Sequence, residues 1–316
     1  MLQIFASAGA LLCLAILVVG FGLANSNLVS PSTLLTIAGS SAPLIVAAAA
    51  MIMCLICAEV DLSIVGVIGL SSTIVALLLN LGLPWPLAVL AGVLSGSAVG
   101  LINGLLTSEL VAVMPFFPSF FPTLATTALA TGLAEALPPS KQAIAIRSYA
   151  FAAVIGLSYG APVLLIYALL VVLALHLVLR RTKYGYHVEA LGANRRAAQF
   201  VGVDVKRTKI LVMTASGSLA SFAGVLTAGL FQAGYSQLGK GYDLDALGAA
   251  VIGGTALFGS QGNVVSSTGG TLVLAALNNG LQLLEVSSAL QLAANGVLVV
   301  GAVALDLFVR RRLATL

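Results

Sequence analysis

The apolar stretches of this chain are too long and too poor in charge to form the surface of a soluble protein. Hydrophobic residues make up 60% of the 316 residues, charged residues make up 8%, and no Lys or Arg occurs before Lys141. About 20 apolar residues are enough to cross a bilayer, and roughly ten such stretches follow one another here. The chain is therefore predicted to be an all-α, polytopic membrane helix bundle of about ten transmembrane helices, with residues 1–316 in a single domain.

Turn-forming residues between the apolar runs mark the ends of the predicted spans. These breakers are the run from Asn25 to Pro31, Pro84 with Pro86, Pro115 with Pro118, and Pro138-Pro139. The spans are expected near residues 4–24, 33–57, 62–82, 86–107, 116–137, 162–180, 209–232, 243–258, 264–284 and 290–309. The first stretch lacks the Lys or Arg of a signal peptide and is followed at once by further spans, so a retained first helix is predicted.

Two regions fit this scheme less simply. Residues 138–161 are too long for a turn and too short for a span with its loops, which favours a mostly external segment with a short helix. Residues 243–258 are short and rich in glycine, which favours a broken or re-entrant helix. Non-helical backbone at that depth needs a protein cover or a water-filled cavity, so the second half of the chain is a candidate for the permeation path.

The cationic residues are concentrated in one segment, residues 181–208 with their immediate flanks. Eight of the fourteen Lys and Arg residues lie between Arg180 and Lys209, and three more form Arg310–Arg312. Because cationic loops stay on the cytoplasmic side, both clusters and both termini are predicted to be cytoplasmic. The net charge of +4 then reflects orientation in the bilayer, and no nucleic-acid partner is predicted.

Residue types within the basic segment predict a short helix that could dock on another protein. Asn194 is a good N-cap and Gly202 a good C′ residue, so Arg195 to Val201 should be helical. Gly192 is expected to allow a tight turn leading into this helix.

Small residues recur every fourth position on two of the predicted spans. The first stripe is Gly92, Gly96, Gly100 and Gly104, and the second is Ser216, Ala220, Gly224 and Ala228. Such stripes let helix backbones approach closely in lipid. They predict close packing within one subunit, with a dimer seam or a gating surface as the alternatives.

Three segments resemble the ribose-type family of ABC transporter permeases. The basic segment resembles that family's cytoplasmic coupling loop at Tyr184, Gly185, Ala190, Leu191, Gly192, Asn194, Ala197, Ala198, Gly202 and Val203. Residues 241–265 (GYDLDALGAAVIGGTALFGSQGNVV) and 58–71 (AEVDLSIVGVIGLS) resemble two further signatures. The sequence departs from the family pattern at Ala58-Glu59, where the family has Gly-Gly, and over residues 115–128.

This resemblance implies the permease subunit of a bacterial ABC importer in the inner membrane, with a fold similar to the vitamin B12 importer permease. It implies a separate ABC ATP-binding subunit, a periplasmic solute-binding protein, a second permease subunit in a homodimer or heterodimer, and contact with membrane lipid. A sugar or sugar-like solute is the implied cargo. The residues implied to couple to the ATPase are Glu189, Ala190, Leu191, Gly192, Asn194, Arg195, Arg196 and Gly202.

The chain lacks the phosphate-binding motif G-x-x-x-x-G-K-[ST], so ATP hydrolysis is expected in another subunit and the chain itself is not predicted to be an enzyme. No cofactor is predicted.

Cys54 and Cys57 form a C-x-x-C pair without a cationic neighbour or further ligands, which favours buried thiols over a redox or metal site.

Polar residues within or beside the apolar spans are candidates for the translocation pathway or for contact with the binding protein. They are Asp61, Ser63, Asn103, Asp243, Asp245, Asn278, Asn279 and Asn295. The alternative for the three aspartates is helix capping or charge complementation of a helix N-terminus. The alternative for the four asparagines is hydrogen bonding between helices.

Other functions remain open at this point. A branched-chain amino acid or nucleoside importer of the same superfamily has the same architecture. An ion-coupled secondary transporter of the ten-helix drug/metabolite type predicts two similar halves, whereas the basic segment occurs only once. A membrane-embedded enzyme would need a catalytic constellation, and neither His176 nor His187 belongs to one.

Overall fold

The computed structural model describes residues 2–24, 29–110, 119–138, 142–155, 161–256, 259 and 262–314. These residues form fourteen α-helices, one pair of short strands and a 3-10 helix at Ser236–Gly239. The helices are α1 (Leu2–Ala24), α2 (Pro31–Ser40), α3 (Ala42–Ile56), α4 (Ile64–Asn80), α5 (Trp85–Leu110), α6 (Phe120–Ala136), α7 (Tyr149–Ile155), α8 (Ala161–Arg181), α9 (Lys183–Ala193), α10 (Arg195–Phe200), α11 (Val205–Phe231), α12 (Tyr242–Ile252), α13 (Val264–Leu283) and α14 (Ser288–Ala314). The strands are β1 (Ile144–Ala145) and β2 (Ala233–Gly234), paired antiparallel.

The predicted all-α helix bundle is confirmed. Among the described residues, three helices are long and apolar enough by themselves to cross a bilayer: Trp85–Glu109, Val163–Arg181 and Val205–Phe231. The bent pair α2–α3 makes a fourth if it is counted as one span. The remaining apolar helices are shorter, and the count of about ten spans stays a prediction.

The apolar run near residues 33–57, expected as one span, is built from two helices. Helices α2 and α3 meet at an angle of 42° with a break at Ser41. Pro43 lies in the first turn of α3, and its missing N–H and its ring prevent α2 from continuing as a regular helix. Every residue of α3 is buried, so this helix forms the centre of the bundle.

Two stretches of irregular backbone interrupt the bundle: residues 57–63, and the described residues between α12 and α13, which are 253–256, 259, 262 and 263. Residues 57–63 connect α3 to α4, so the span predicted to start at residue 62 begins as a helix only at Ile64. The predicted break in residues 243–258 is present, because α12 ends at Ile252. The two stretches touch, since a Cβ added to Gly259 would lie 2.8 Å from the Cβ of Ala58.

The segment over residues 138–161 contains the predicted short helix, α7, and also strand β1, which was not predicted. Strand β1 pairs with β2, which follows α11 directly. Several residues used in the predictions lie outside the described residues: the breakers Asn25, Pro115, Pro118 and Pro139, the cation Lys141, and Leu257 of the downstream signature.

The glycine stripe on α5 packs inside this one chain. A Cβ on Gly100 would lie 2.3 Å from the carbonyl oxygen of Met213 in α11, and a Cβ on Gly96 would lie 2.5 Å from that of Gly217. Contacts this short leave no room for a side chain, so α5 and α11 meet backbone to backbone. The prediction of close helix packing within a subunit is confirmed.

Candidate functional sites

The basic segment is mostly helical rather than a loop. Thr182 caps α9, and its Oγ1 accepts a hydrogen bond from the Gly185 N–H at 3.4 Å. The Oδ1 of Asn194 accepts from the Ala197 N–H at 3.0 Å and caps α10. Gly202 has φ +88° directly after α10. The predicted caps are therefore present, although the helix ends at Phe200 instead of Val201 and α9 was not predicted.

The prediction that Gly192 forms a tight turn was wrong. Gly192 lies inside α9, and Gly202 is the glycine of this segment with a left-handed backbone. The carbonyl oxygen of Gly192 would be 2.6 Å from a Cβ added to Gly259. This close approach connects α9 to the irregular stretch that follows α12.

A second contact joins the same two regions. Arg180 at the end of α8 donates from Nη1 to the Glu189 Oε1 at 3.0 Å and from Nη2 to the Gly262 carbonyl at 3.2 Å. The Glu189 carboxylate is therefore already paired with Arg180 of the same chain. Ala190 is half-buried and Leu191 is buried, so these predicted coupling residues hold α9 in place.

The surface of α10 combines positive charge with exposed apolar side chains. Phe200 is 91% exposed and Val201 is 80% exposed, and Arg196 is exposed beside them. Arg195 is turned partly inward, and its burial lowers the pKa of its guanidinium although nearby Glu59 opposes that shift. We call Arg196, Phe200 and Val201 the α10 surface.

Three of the predicted polar residues form one buried hydrogen-bond network, which we call the Asp61 network. The Asp61 Oδ1 accepts from the Ser63 N–H at 2.9 Å and from the Ser63 hydroxyl at 2.5 Å. The Asp61 Oδ2 accepts from the Ser216 hydroxyl at 2.6 Å. The Asn103 Nδ2 donates to the Ser63 Oγ at 2.9 Å, and the Asn103 Oδ1 accepts from Thr126 at 2.7 Å.

The Asp61 network ties together four parts of the bundle: residues 57–63, α5, α6 and α11. Asp61, Ser63, Asn103 and Ser216 are fully buried. Buried polar groups need such partners because an unpaired one costs free energy. The predicted interhelical role of Asn103 is therefore present, and the turn made by Asp61 on Ser63 lies at the start of α4.

A buried ion pair lies next to this network. Lys209 of α11 and Glu59 are 2% and 3% exposed at their side chains and form a salt bridge. Glu59 Oε2 has no hydrogen-bond partner among the described residues. Ala58, just before it, has φ +58°, at a position where the family resemblance has glycine. Sequence reasoning missed this pair, although an acid in an apolar run calls for a partner.

The second half of the chain contains a separate polar pair. Asp243 and Asp245 lie in the first turn of α12, and the Asn295 Nδ2 of α14 donates to the Asp245 Oδ1 at 3.1 Å. Asn279 donates to the Ala275 carbonyl of its own helix at 2.8 Å, and Asn278 is half-buried on α13. The structure thus pairs Asp245 with Asn295 and leaves Asn278 and Asn279 apart from them.

Among the described residues, no group of three or more His, Cys, Asp or Glu side chains could hold a metal ion. Cys54 and Cys57 are buried free thiols.

The sequence model of the family described as "Branched-chain amino acid transport system / permease component" matches residues 33–304. The chain belongs to this family. The match covers the basic segment and both irregular stretches, and it confirms the resemblance to ABC importer permeases. The protein is accordingly a multi-pass membrane protein.

Curated relatives carry the names of sugar permeases. The chain is 39% identical over 152 residues to the ribose import permease protein of Escherichia coli, covering 48% of this chain and 47% of the relative. It is 38% identical over 147 residues to the D-allose transport system permease protein of E. coli (46% and 45%). It is 37% identical over 145 residues to the xylose transport system permease protein of Haemophilus influenzae (46% and 38%).

The matched part of the chain spans about half the length of these curated relatives or less. No solved structure gave a significant match to the chain.

Proposed function

We propose that this protein is the membrane-spanning permease subunit of an ATP-driven ABC importer for a sugar or sugar-like solute in the bacterial inner membrane. The observation that carries the proposal is the family match over residues 33–304, together with the capped helix α10 that presents an exposed cationic and apolar surface. The names of the relatives support a sugar as the solute class.

The α10 surface fits the docking site for the separate ATP-binding subunit. Phe200 and Val201 supply apolar side chains that a cleft could bury, and Arg196 supplies a charge at its edge. Aromatic residues and Arg are favoured in the centres of protein interfaces. Asn194 and Gly202 act as the caps that hold α10 in shape, rather than as contacts themselves.

Motion of the docked ATPase would reach the bundle through α9. This helix touches the irregular stretch after α12 at Gly192 and is joined to it again through Arg180, which bridges Glu189 and Gly262. That stretch in turn meets residues 57–63. A shift of α9 would therefore move both irregular stretches together. This movement would open or close the path of the solute through the bundle, and the solute itself would not be chemically changed.

The remaining parts of the proposal follow from the same family membership. The basic segment and both termini face the cytoplasm, and the opposite face receives a periplasmic solute-binding protein. A second permease subunit, identical or different, completes the pathway within the membrane lipid. The fold is proposed to resemble that of the vitamin B12 importer permease.

Reconstitution tests the energy source. In liposomes, the protein together with its co-purifying ATP-binding and solute-binding subunits should accumulate D-ribose, D-allose or D-xylose only when ATP is present. The protein alone should accumulate none of them under a Na⁺ or H⁺ gradient. Accumulation driven by an ion gradient alone would replace the importer with a secondary transporter.

A branched-chain amino acid importer is the second candidate, because the family description names that substrate class. ATP-dependent uptake of leucine, with no uptake of the three sugars, would favour it.

A further inference from the structure

A carboxylate oxygen of Glu59 and the guanidinium group of Arg195 lie near each other without being paired. The Glu59 side chain is 3% exposed, and Lys209 pairs with its Oε1, whereas its Oε2 has no hydrogen-bond partner among the described residues. The Arg195 guanidinium forms no hydrogen bond or salt bridge within the same part of the chain. Burial lowers the pKa of this guanidinium, and the charge of nearby Glu59 opposes that shift. A buried acceptor without a donor thus lies beside a cation whose N–H donors are free.

The backbone brings the two side chains to one junction. A Cβ added to Gly259 would lie 2.6 Å from the carbonyl oxygen of Gly192 in α9 and 2.8 Å from the Cβ of Ala58. Glu59 directly follows Ala58, and Arg195 follows Gly192 by three residues. The two side chains therefore come from segments that already meet at Gly259.

Arg195 and the exposed side of α10 point in different directions. Successive residues of an α-helix are rotated by about 100°, so Phe200 lies roughly 140° around the axis from Arg195. Ala198 lies roughly 60° from Arg195 on the other side and is buried, and Arg195 itself is half-buried. A subunit that presses on the α10 surface would therefore move Arg195 toward the interior, where Glu59 lies.

We propose that Arg195 is a positioning residue of the transport cycle, which pairs with the free Glu59 Oε2 when the ATP-binding subunit pushes α10 inward. Glu59 is then shared by Lys209 and Arg195, so that residues 57–63 are tied to α10 as well as to α11. We call this arrangement the Glu59 latch. Arginine suits the role because its planar fork of N–H donors matches a carboxylate. This inference rests on the proposed function, because it takes α10 to be the docking site of the ATP-binding subunit.

The charges make the Glu59 latch reversible. In the closed arrangement Lys209 and Arg195 share one negative charge and repel each other. The latch would therefore open again when the ATP-binding subunit no longer presses on α10. Glu59 stands where the family pattern has glycine, so this device follows from the chain's own sequence rather than from the family pattern.

The test is a double-mutant cycle in the fully assembled transporter. Arg195→Met removes the cation, and Arg195→Lys keeps the charge without the fork. Glu59→Leu combined with Lys209→Met removes the ion pair and leaves neither charge buried alone. Arg207→Met is the matched control, because Arg207 is an exposed arginine of α11 in the same basic segment.

Four quantities are measured for each protein: ATP-driven uptake of D-ribose, D-allose, D-xylose and leucine, ATP hydrolysis, co-purification of the ATP-binding subunit, and the melting temperature of the permease alone. Arg195→Met should lower uptake about tenfold, the effect of losing one charge-assisted hydrogen bond. Arg195→Lys should fall between this variant and the parent, and Arg207→Met should match the parent.

The other measurements separate positioning from a structural or docking role. With Arg195→Met, ATP hydrolysis should change less than twofold and co-purification should be retained. The melting temperature should equal that of the parent, because Arg195 and Glu59 are not paired in this structure. A lower melting temperature would assign Arg195 to support of the fold, and a loss of co-purification would assign it to the docking contact; either result would overturn the latch.

The cycle itself tests whether Arg195 acts through Glu59. The Glu59→Leu/Lys209→Met protein should lose about as much uptake as Arg195→Met, and adding Arg195→Met to it should lower uptake no further. A second tenfold loss on that background would overturn the latch and leave the proposed function intact. If the double variant fails to fold, Arg195→Met decides alone, since parent-level uptake would overturn the latch. A parent transporter that accumulates none of the four solutes with ATP would overturn both.

Discussion

The Asp61 network and the Asp245–Asn295 pair both place carboxylates and amides among apolar helices, but they differ in how completely their polar atoms are paired. In the Asp61 network both carboxylate oxygens and both ends of the Asn103 amide have partners. In the other pair the Asn295 Oδ1 has none among the described residues. The first arrangement is fully paired and holds helices together, whereas the second keeps one buried acceptor unpaired.

Packing differs between the two regions in the same sense. A Cβ on Gly96 or Gly100 of α5 would collide with the backbone of α11, whereas a Cβ on Gly296 or Gly301 of α14 would meet nothing within 4 Å. The bundle around α5 and α11 is thus a closely packed scaffold. Gly296 and Gly301 thus lie on a face of α14 that no other described part of the chain covers. The comparison can be tested from both sides.

The largest loss of stability is expected from breaking the Glu59–Lys209 ion pair, which lies beside the Asp61 network. Lys209→Met would leave Glu59 buried without a counter-charge, which costs about 3–5 kcal/mol of stability. The melting temperature and the yield of folded protein in detergent should both fall. Adding Glu59→Leu to the same protein should recover most of the loss.

Lys206→Met is the control for this change, since Lys206 also lies on α11 but forms an exposed pair with Glu109. Exposed pairs contribute about 0–1 kcal/mol. Equal losses of stability for the two lysine variants would show that burial does not increase the contribution of the Glu59–Lys209 pair to stability.

A smaller difference is expected when the two aspartates are compared directly. Asp61→Asn weakens charge-assisted hydrogen bonds from Ser63 and Ser216 and should cost about 1–2 kcal/mol. Asp245→Asn affects one part-exposed hydrogen bond and should cost less than about 1 kcal/mol. Thermal unfolding in detergent measures both. A larger loss for Asp245→Asn would show that the less completely paired region contributes more to stability than the Asp61 network does.

The glycines test the packing difference with the smallest possible change. Gly100→Ala places a methyl group against the Met213 carbonyl and should destabilise the protein by about 1–3 kcal/mol through overpacking. Gly296→Ala has open space and a helical backbone, so it should be neutral or stabilise by up to about 1 kcal/mol. Equal melting temperatures for the two variants would show that the α5–α11 contact tolerates more separation than the structure indicates.

Features that depend on neighbouring residues were predictable from the sequence. The caps Asn194 and Gly202 follow from residue type and local backbone geometry, and the short helix α12 follows from its glycine-rich boundary. Asn103 and Asp61 could be selected from the sequence because polar side chains within apolar spans are costly unless they are paired or functional. The residues they pair with could not be selected in this way.

Features that depend on distant parts of the chain were not predictable. Glu59 and Lys209 are far apart in sequence, and only the fold brings α11 against residues 57–63. Helix α9 contains two glycines that lower helix propensity, and burial of Val188 and Leu191 against other helices offsets this. Gly192 was assigned to a turn because its residue type permits one, whereas it lies inside α9, and the close approach of its carbonyl oxygen explains the glycine at position 259.

The central claim is that α10 receives the ATP-binding subunit and transmits its motion to the bundle. The most direct test is ATP-driven solute uptake by the assembled transporter carrying Phe200→Asp. The matched control is Tyr149→Asp, because Tyr149 is 83% exposed and lies on α7, near the opposite end of α11. We expect Phe200→Asp to abolish both uptake and co-purification of the ATP-binding subunit while the membrane domain stays folded, and Tyr149→Asp to retain that co-purification. Normal uptake and normal co-purification with Phe200→Asp would contradict the claim.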